Sequence, residues 1–206
     1  MSGIYSGVQA RIAKKEPNAL DVHCASHNLN LSLSDSVHNI SEMRNFYDTI
    51  EELYNFFGRS IKRWAMLKEL ACVSEVIGKA TLKRLCPNRW SSRHDSLVAL
   101  RFRYSDVVKG LSKIGLRSDS HNERDAAGGL LKKIEKFEFI FLQAKLLETI
   151  NALSKALQIQ EMMLDKAIHL LKNSVDSLME MRDSYAQVKD AAEKLSNKCG
   201  VEPKFQ

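Results

Sequence analysis

The feature that most constrains the fold is a seven-residue repeat in the C-terminal third. Ile150, Leu157, Leu164, Leu171, Leu178, Tyr185 and Ala192 recur at intervals of seven. Leu153, Gln160, Ala167, Ser174, Met181, Val188 and Leu195 follow them three places later. An α-helix returns such positions to one face, so this region is helical. The second set is weak at Gln160, Ala167 and Ser174, while Ile168 and Val175 widen the stripe. A narrow seam belongs to a coiled coil, and a broader face belongs to a helix buried in a globular bundle. The bundle reading is preferred and the dimeric coiled coil is the alternative. A break near Gln158 to Glu161 would divide the region into two antiparallel helices.

The rest of the chain agrees. Only 3 prolines and 9 glycines occur in 206 residues, which favours long helices over an all-β design. Residues 2–15 read as a short helix with Ile4, Val8 and Ile12 on one side, ended by Pro17 and Asn18. Leu20 to Cys24 alternates at period two and reads as one short strand. Leu29, Leu31 and Leu33 alternate as a strand would, yet Leu29, Leu33, Val37 and Ile40 share a helical face that Ser26 could cap. The helix is the preferred reading. Phe46, Ile50, Leu53, Tyr54 and Phe57 mark a helix stopped at Gly58. Ile61, Trp64, Leu67 and Ala71 fall within one arc of the next. Thr81 to Asn88 contains Pro87 and reads as a loop or short extended piece. Leu97, Leu100, Tyr104, Val108, Leu111 and Ile114 define a further helix. On it Arg101 and Arg103 border the apolar arc, and Lys109 and Lys113 point away. Ser118 to Asn122 is a linker or a helix start, and Gly128-Gly129 a helix start or hinge.

Charge is unevenly placed. Residues 59–113 hold 13 basic and 4 acidic side chains, a net of +9 in a chain whose total is +6. Such a concentration can neutralise phosphates, although a solvated basic face with no partner reads the same way. No apolar run reaches the roughly 18 residues of a spanning helix, so no membrane is expected. No signal peptide begins the chain, and Cys24, Cys72, Cys86 and Cys199 are scattered without a paired spacing. An intracellular chain with reduced thiols follows, nuclear if it binds DNA.

Few motifs carry chemistry. Cys24 and His27 have the spacing of half a zinc site, but a tetrahedral site needs four ligands. A core cysteine with a hydrogen-bonded histidine nearby is preferred to metal. Cys24 and His23 lie on opposite strand faces with no orienting group, and no glycine-rich phosphate loop or nucleophile elbow is present. Two Arg-Trp pairs occur. Trp64, after Arg63, lies on an apolar arc. Trp90 stands among Arg84, Arg89 and Arg93, where a ring could stack on an unpaired base while arginines hold phosphates. The competing reading is a tryptophan that anchors a loop on a helical bundle.

In order along the chain, these residues resemble the hAT-superfamily transposases and host proteins derived from them, the transposon-derived zinc-finger MYM-type and repressor-of-the-inhibitor-of-protein-kinase groups. Met1-Ser2-Gly3-x-Tyr5-x-Gly7-Val8-Gln9-Ala10 resembles the end of the family's Asp-Gly-Ala-x-Asn-Met-Ser-Gly segment. His23-Cys24-Ala25-Ser26-His27-x-Leu29-Asn30-Leu31 is similar to its Cys-x-x-His motif. Tyr54-Asn55-Phe56-Phe57 with Ser60, Arg63 and Trp64 follows the next block. Asn88-Arg89-Trp90-Ser91-Ser92-Arg93 looks like the second Arg-Trp motif. Leu157-Gln158, Ala167, Leu178 and Arg182 resemble the helical insertion.

The resemblance implies a mostly α chain. Residues 1–40 would be a remnant of an RNase H-like core, one short strand plus a helix. Residues 41–206 would be an all-α insertion, with the basic segment at 59–113 and long helices at about 130–198. In the family, three carboxylates hold divalent metal against a DNA phosphodiester. The positions of those carboxylates fall outside this chain, and Asp21, Asp35 and Asp48 do not match them. No catalytic residue, metal ligand or cofactor is therefore expected here; divalent metal belongs to a complete family member. What carries over is Cys24 with His27, beside the family's core, and Arg89 with Trp90, which in the family reach towards transposon-end DNA. The expected partner is DNA at low specificity, through Arg84, Arg89, Trp90 and Arg93. A helical protein-interaction module using 136–198, or a truncated version of an active transposase, are the alternatives.

Overall fold

The computed structural model describes residues 7–19, 25–73, 81–86, 90–143, 153, 155–159 and 163–205. Among them the regular structure is helical, with no strand. The strand expected at Leu20 to Cys24 lies outside the described residues, as does the N-terminal motif up to Ser6. The helices are α1 (Val8–Lys15), α2 (Ala25–Asn39), α3 (Ser41–Gly58), α4 (Ile61–Val73) and α5 (Trp90–Arg117). After them come α6 (His121–Ile134), α7 (Phe137–Gln143), α8 (Leu164–Asp183) and α9 (Tyr185–Cys199).

The helical reading of 25–39 holds: Val37 is buried, Leu33 packs against the core, and Leu31 is exposed. Ser26 falls inside α2 rather than capping it, and Ile40 is exposed at the junction with α3.

α5 is the hub. Leu97, Leu100, Tyr104, Val107, Leu111 and Ile114 are buried along its inner face. They meet Phe46, Ile50, Leu53 and Phe57 of α3, Leu67 of α4 and Leu130 and Ile134 of α6 in one core. Gly110 is the point of closest approach: a Cβ there would lie 3.4 Å from the Phe57 ring. The Tyr104 hydroxyl donates to the Ile134 carbonyl at 2.9 Å and fixes α6 against α5.

Two local features differ from expectation. Ile61 does not share the buried arc with Leu67: it is 91% exposed at the first turn of α4. Gly128 and Gly129 are neither a start nor a hinge but lie inside α6, which Ser120 caps by accepting from the Glu123 N–H. The helix continues through both glycines because Ala127, Leu130 and Ile134 bury its inner face.

The C-terminal repeat divides. A turn at Leu157–Gln158 sits where a break was expected, and a second break falls at Ser184. α9 docks on α7 and buries Ala192 and Ser196, and Gly200 ends it at φ +71°, a left-handed conformation that favours glycine. α8 does not take the place of a buried bundle helix. Its early turns pack Ala167 on Leu153, Leu157 and Leu29, but Ile168 and Val175 are exposed. Leu171, Ser174 and Leu178 are half-buried, so the stripe is covered in part and its widened edge at Ile168 and Val175 is exposed.

Candidate nucleic-acid interface

Of the four residues expected to bind DNA, the side chains of Arg84 and Arg93 are described. Arg89 lies outside the described residues, as does the Trp90 side chain at the start of α5. Arg84 is exposed, on the extended segment 81–86. Leu82 and Leu85 bury this segment's apolar side, and two serines of α5 hold its backbone. Ser92 accepts from the Cys86 N–H at 2.8 Å and donates to the Arg84 carbonyl at 3.1 Å. The buried Ser96 hydroxyl donates to the Lys83 carbonyl at 3.0 Å. Arg93 is half-buried, with its guanidinium 4.5 Å from the centroid of Tyr47. Burial pushes the Tyr47 hydroxyl up to about 12, against the opposing pull of Arg93. Arg93 is thus engaged inside the protein rather than presented to a phosphate.

The remaining motif residues are packed or solitary. Trp64 is half-buried, edge-on to Tyr54 at 6.1 Å. Arg63 lies over the Phe56 ring at 4.3 Å and pairs with Glu123 at 3.7 Å. His27 is exposed on α2, and Cys24 lies outside the described residues. Among the described residues no three His, Cys, Asp or Glu side chains assemble as a metal site. No described helix is long and apolar enough to cross a membrane.

A basic surface does exist, on the outer face of α5. Arg101, Lys109, Lys113 and Arg117 are exposed along it. From Arg101 to Arg117 the line spans about 24 Å at 1.5 Å per residue. Phe102, 62% exposed, and Leu116, 84% exposed, lie on the same side. Asp95, near the start of the helix, has its side chain 45% exposed and paired with Lys83 at 3.1 Å. From Arg101 onward the helix holds one acidic residue, Asp106, and it is buried at 2% exposure. There it meets Arg103, whose Nε lies 2.7 Å from Asp106 Oδ2 and whose Nη2 donates to the Leu67 carbonyl. The pair neutralises itself inside the protein, so the outer face keeps only positive charge.

Sequence reasoning placed Lys109 and Lys113 outward but did not see that the face is free of acid. That depends on Asp106 turning inward, which spacing alone does not reveal. Arg101 also stands near the end of α9: burial pushes the Cys199 thiol up, and Arg101 opposes the shift. No protein-family model matches this chain, and no solved structure matches it significantly.

Proposed function

We propose that this chain is a non-catalytic nucleic-acid-binding helical domain, a derivative of a hAT-type transposase that acts in the nucleus. The observation that carries the binding is the outer face of α5 from Arg101 to Arg117, with four exposed cations, an exposed aromatic ring and no exposed acidic side chain of that stretch. The cations take phosphates without reading sequence, and Phe102 supplies a ring on which an unpaired base stacks. Single strands are therefore bound in preference to duplex, at low specificity. The hAT reading rests on the order of the motifs along the chain. On that reading α2 and the segment before it belong to an RNase H-like core, and the helices from Ser41 onward to its insertion.

Fluorescence anisotropy with a single-stranded oligonucleotide across a salt series tests the binding. Four phosphate contacts give a log–log salt slope of about −2.8 on single strands, at about −0.7 per contact. Lys109→Ala with Lys113→Ala should flatten that slope by about 1.4. Phe102→Ala should weaken binding by about 1–3 kcal/mol. Affinity too weak to measure at low salt, or an unchanged slope in the lysine variant, defeats the proposal.

A second reading has its own observation. Ile168, Val175 and Met179 are exposed on α8, which suits a helical protein-interaction module. Capture of a partner that Val175→Asp abolishes, with no nucleic-acid binding, would favour it.

A further inference from the structure

A cleft of about 530 Å³ opens between α3, α4 and α6, and it shares no residue with the outer face of α5. Its size falls within the range of pockets that hold small ligands. Arg59, Arg63 and Lys133 line it, with Glu52 as the single carboxylate. Glu52 is already engaged by Lys133 at 2.6 Å. Arg59 is exposed and makes no ion pair among the described residues.

Arg63 is the better-held cation. Stacking on Phe56 at 4.3 Å fixes the plane of its guanidinium. Its hydrogen-bonding capacity is under-used. Nε is buried without an acceptor among the described residues, and Nη1 has only Glu123 at 3.7 Å. Glu123 is occupied elsewhere, since its other oxygen accepts from the Ser118 hydroxyl at 2.7 Å. A planar guanidinium held in place suits the oxygens of a carboxylate or a phosphate.

The lining also has an apolar part, formed by Phe56 and Leu130, and a wall without a side chain at Gly129. A Cβ added at Gly129 would meet nothing within 4 Å, so the space beside it is open. Among the lining residues three cations face one carboxylate, and Glu123, 3.7 Å from Arg63, reduces the local excess to one positive charge. A phosphate monoester, at about −1.5 to −2 near neutral pH, is drawn to the three cations more strongly than a singly charged carboxylate and offers them three acceptor oxygens.

We infer that this cleft binds a small organic phosphate, with its phosphate on Arg59 and Arg63 and its apolar body on Phe56 and Leu130 beside Gly129. The test is a nitrogen-edited NMR titration of the whole chain with phenyl phosphate, inorganic phosphate and benzoate. Phenyl phosphate should shift the Gly129 amide and the Arg63 side-chain resonance in a saturable way. Inorganic phosphate and benzoate should each bind about tenfold more weakly, because each lacks one half of the recognised group. Arg63→Gln should weaken phenyl phosphate by about tenfold or more. Gly129→Leu keeps every charge and suits the interior of a helix, so it should fold as the parent does while its side chain occupies the cleft and abolishes binding. Shifts that do not saturate, or unchanged affinity in Gly129→Leu, would overturn the inference. Equal affinity for inorganic phosphate would overturn the apolar half of it, and equal affinity for benzoate the dianion.

Discussion

α5 and α8 are both long helices with a readable apolar stripe, and the protein uses them in opposite ways. α5 has a stripe interrupted by Arg103 and Asp106, yet both of these are buried along with Leu97, Leu100 and Leu111. α8 carries the cleaner seven-residue repeat, with Ala167 buried and Leu171 and Leu178 half-buried, yet Ile168, Val175 and Met179 beside that repeat are exposed. Periodicity therefore reports which face could be buried and not whether anything covers it. Cover depends on neighbours. α5 is enclosed by α2, α3, α4 and α6, whereas α8 packs its early turns on Leu29, Leu153 and Leu157 and otherwise touches α9.

The most forceful way to break that contrast is to attack the charge inside α5. Asp106→Ala leaves the Arg103 guanidinium buried, with the Leu67 carbonyl as its remaining partner among the described residues. Removing one member of a buried ion pair costs about 3–5 kcal/mol. We expect a loss of that size in urea unfolding, and partial recovery when Arg103→Met is added. A loss below about 1 kcal/mol would mean that water reaches the pair, and that α5 is no better covered than α8.

A smaller effect should appear at high pH. Tyr47 is held up to about 12 by burial, against an ordinary value of 10.0. Between pH 10 and 12 the unfolded chain releases this proton while the folded chain keeps it. Stability is thus intact below pH 10 and falls as pH rises towards 12. The two-unit difference corresponds to an upper bound of about 2.7 kcal/mol, and about 2 is expected. Tyr104 is raised as well, also by burial, and adds to the decline. Tyr47→Phe should flatten the fall in stability, read by unfolding at stepped pH.

The helical core was legible because its signals are local. Phe46, Ile50, Leu53 and Phe57 recur at helical spacing, and all are buried. The non-helical character of 81–86 followed from Pro87 nearby. What the sequence hid are pairings between distant segments. Arg103 and Asp106 look like an ordinary surface pair three residues apart, and only the docking of α4 turns them inward. Arg93 looks available for phosphate until α3 brings Tyr47 beneath it. The cleft joins Arg59 and Arg63, four residues apart, to Lys133 of a distant stretch, a pairing that no spacing rule supplies. Ile61 follows the apolar period and still faces solvent at the first turn of α4.

The smallest expected effect bears most directly on the contrast. Val175 is 48% exposed and Met179 is 60% exposed, so truncating either removes little apolar surface from a covered environment. Val175→Ala and Met179→Ala should each change stability by less than about 0.5 kcal/mol, as ordinary surface substitutions do. Alanine's higher helix propensity offsets part of even that loss at Val175. The measurement is urea unfolding at two protein concentrations about a hundredfold apart. If Val175→Ala costs about 2 kcal/mol at both concentrations, the stripe is covered within one chain, and α8 is a bundle helix after all. If the cost appears only at the higher concentration, a second copy supplies the cover, since only association makes stability depend on concentration. A small effect at both leaves the stripe open, and the difference between α5 and α8 is then one of neighbours rather than of sequence pattern.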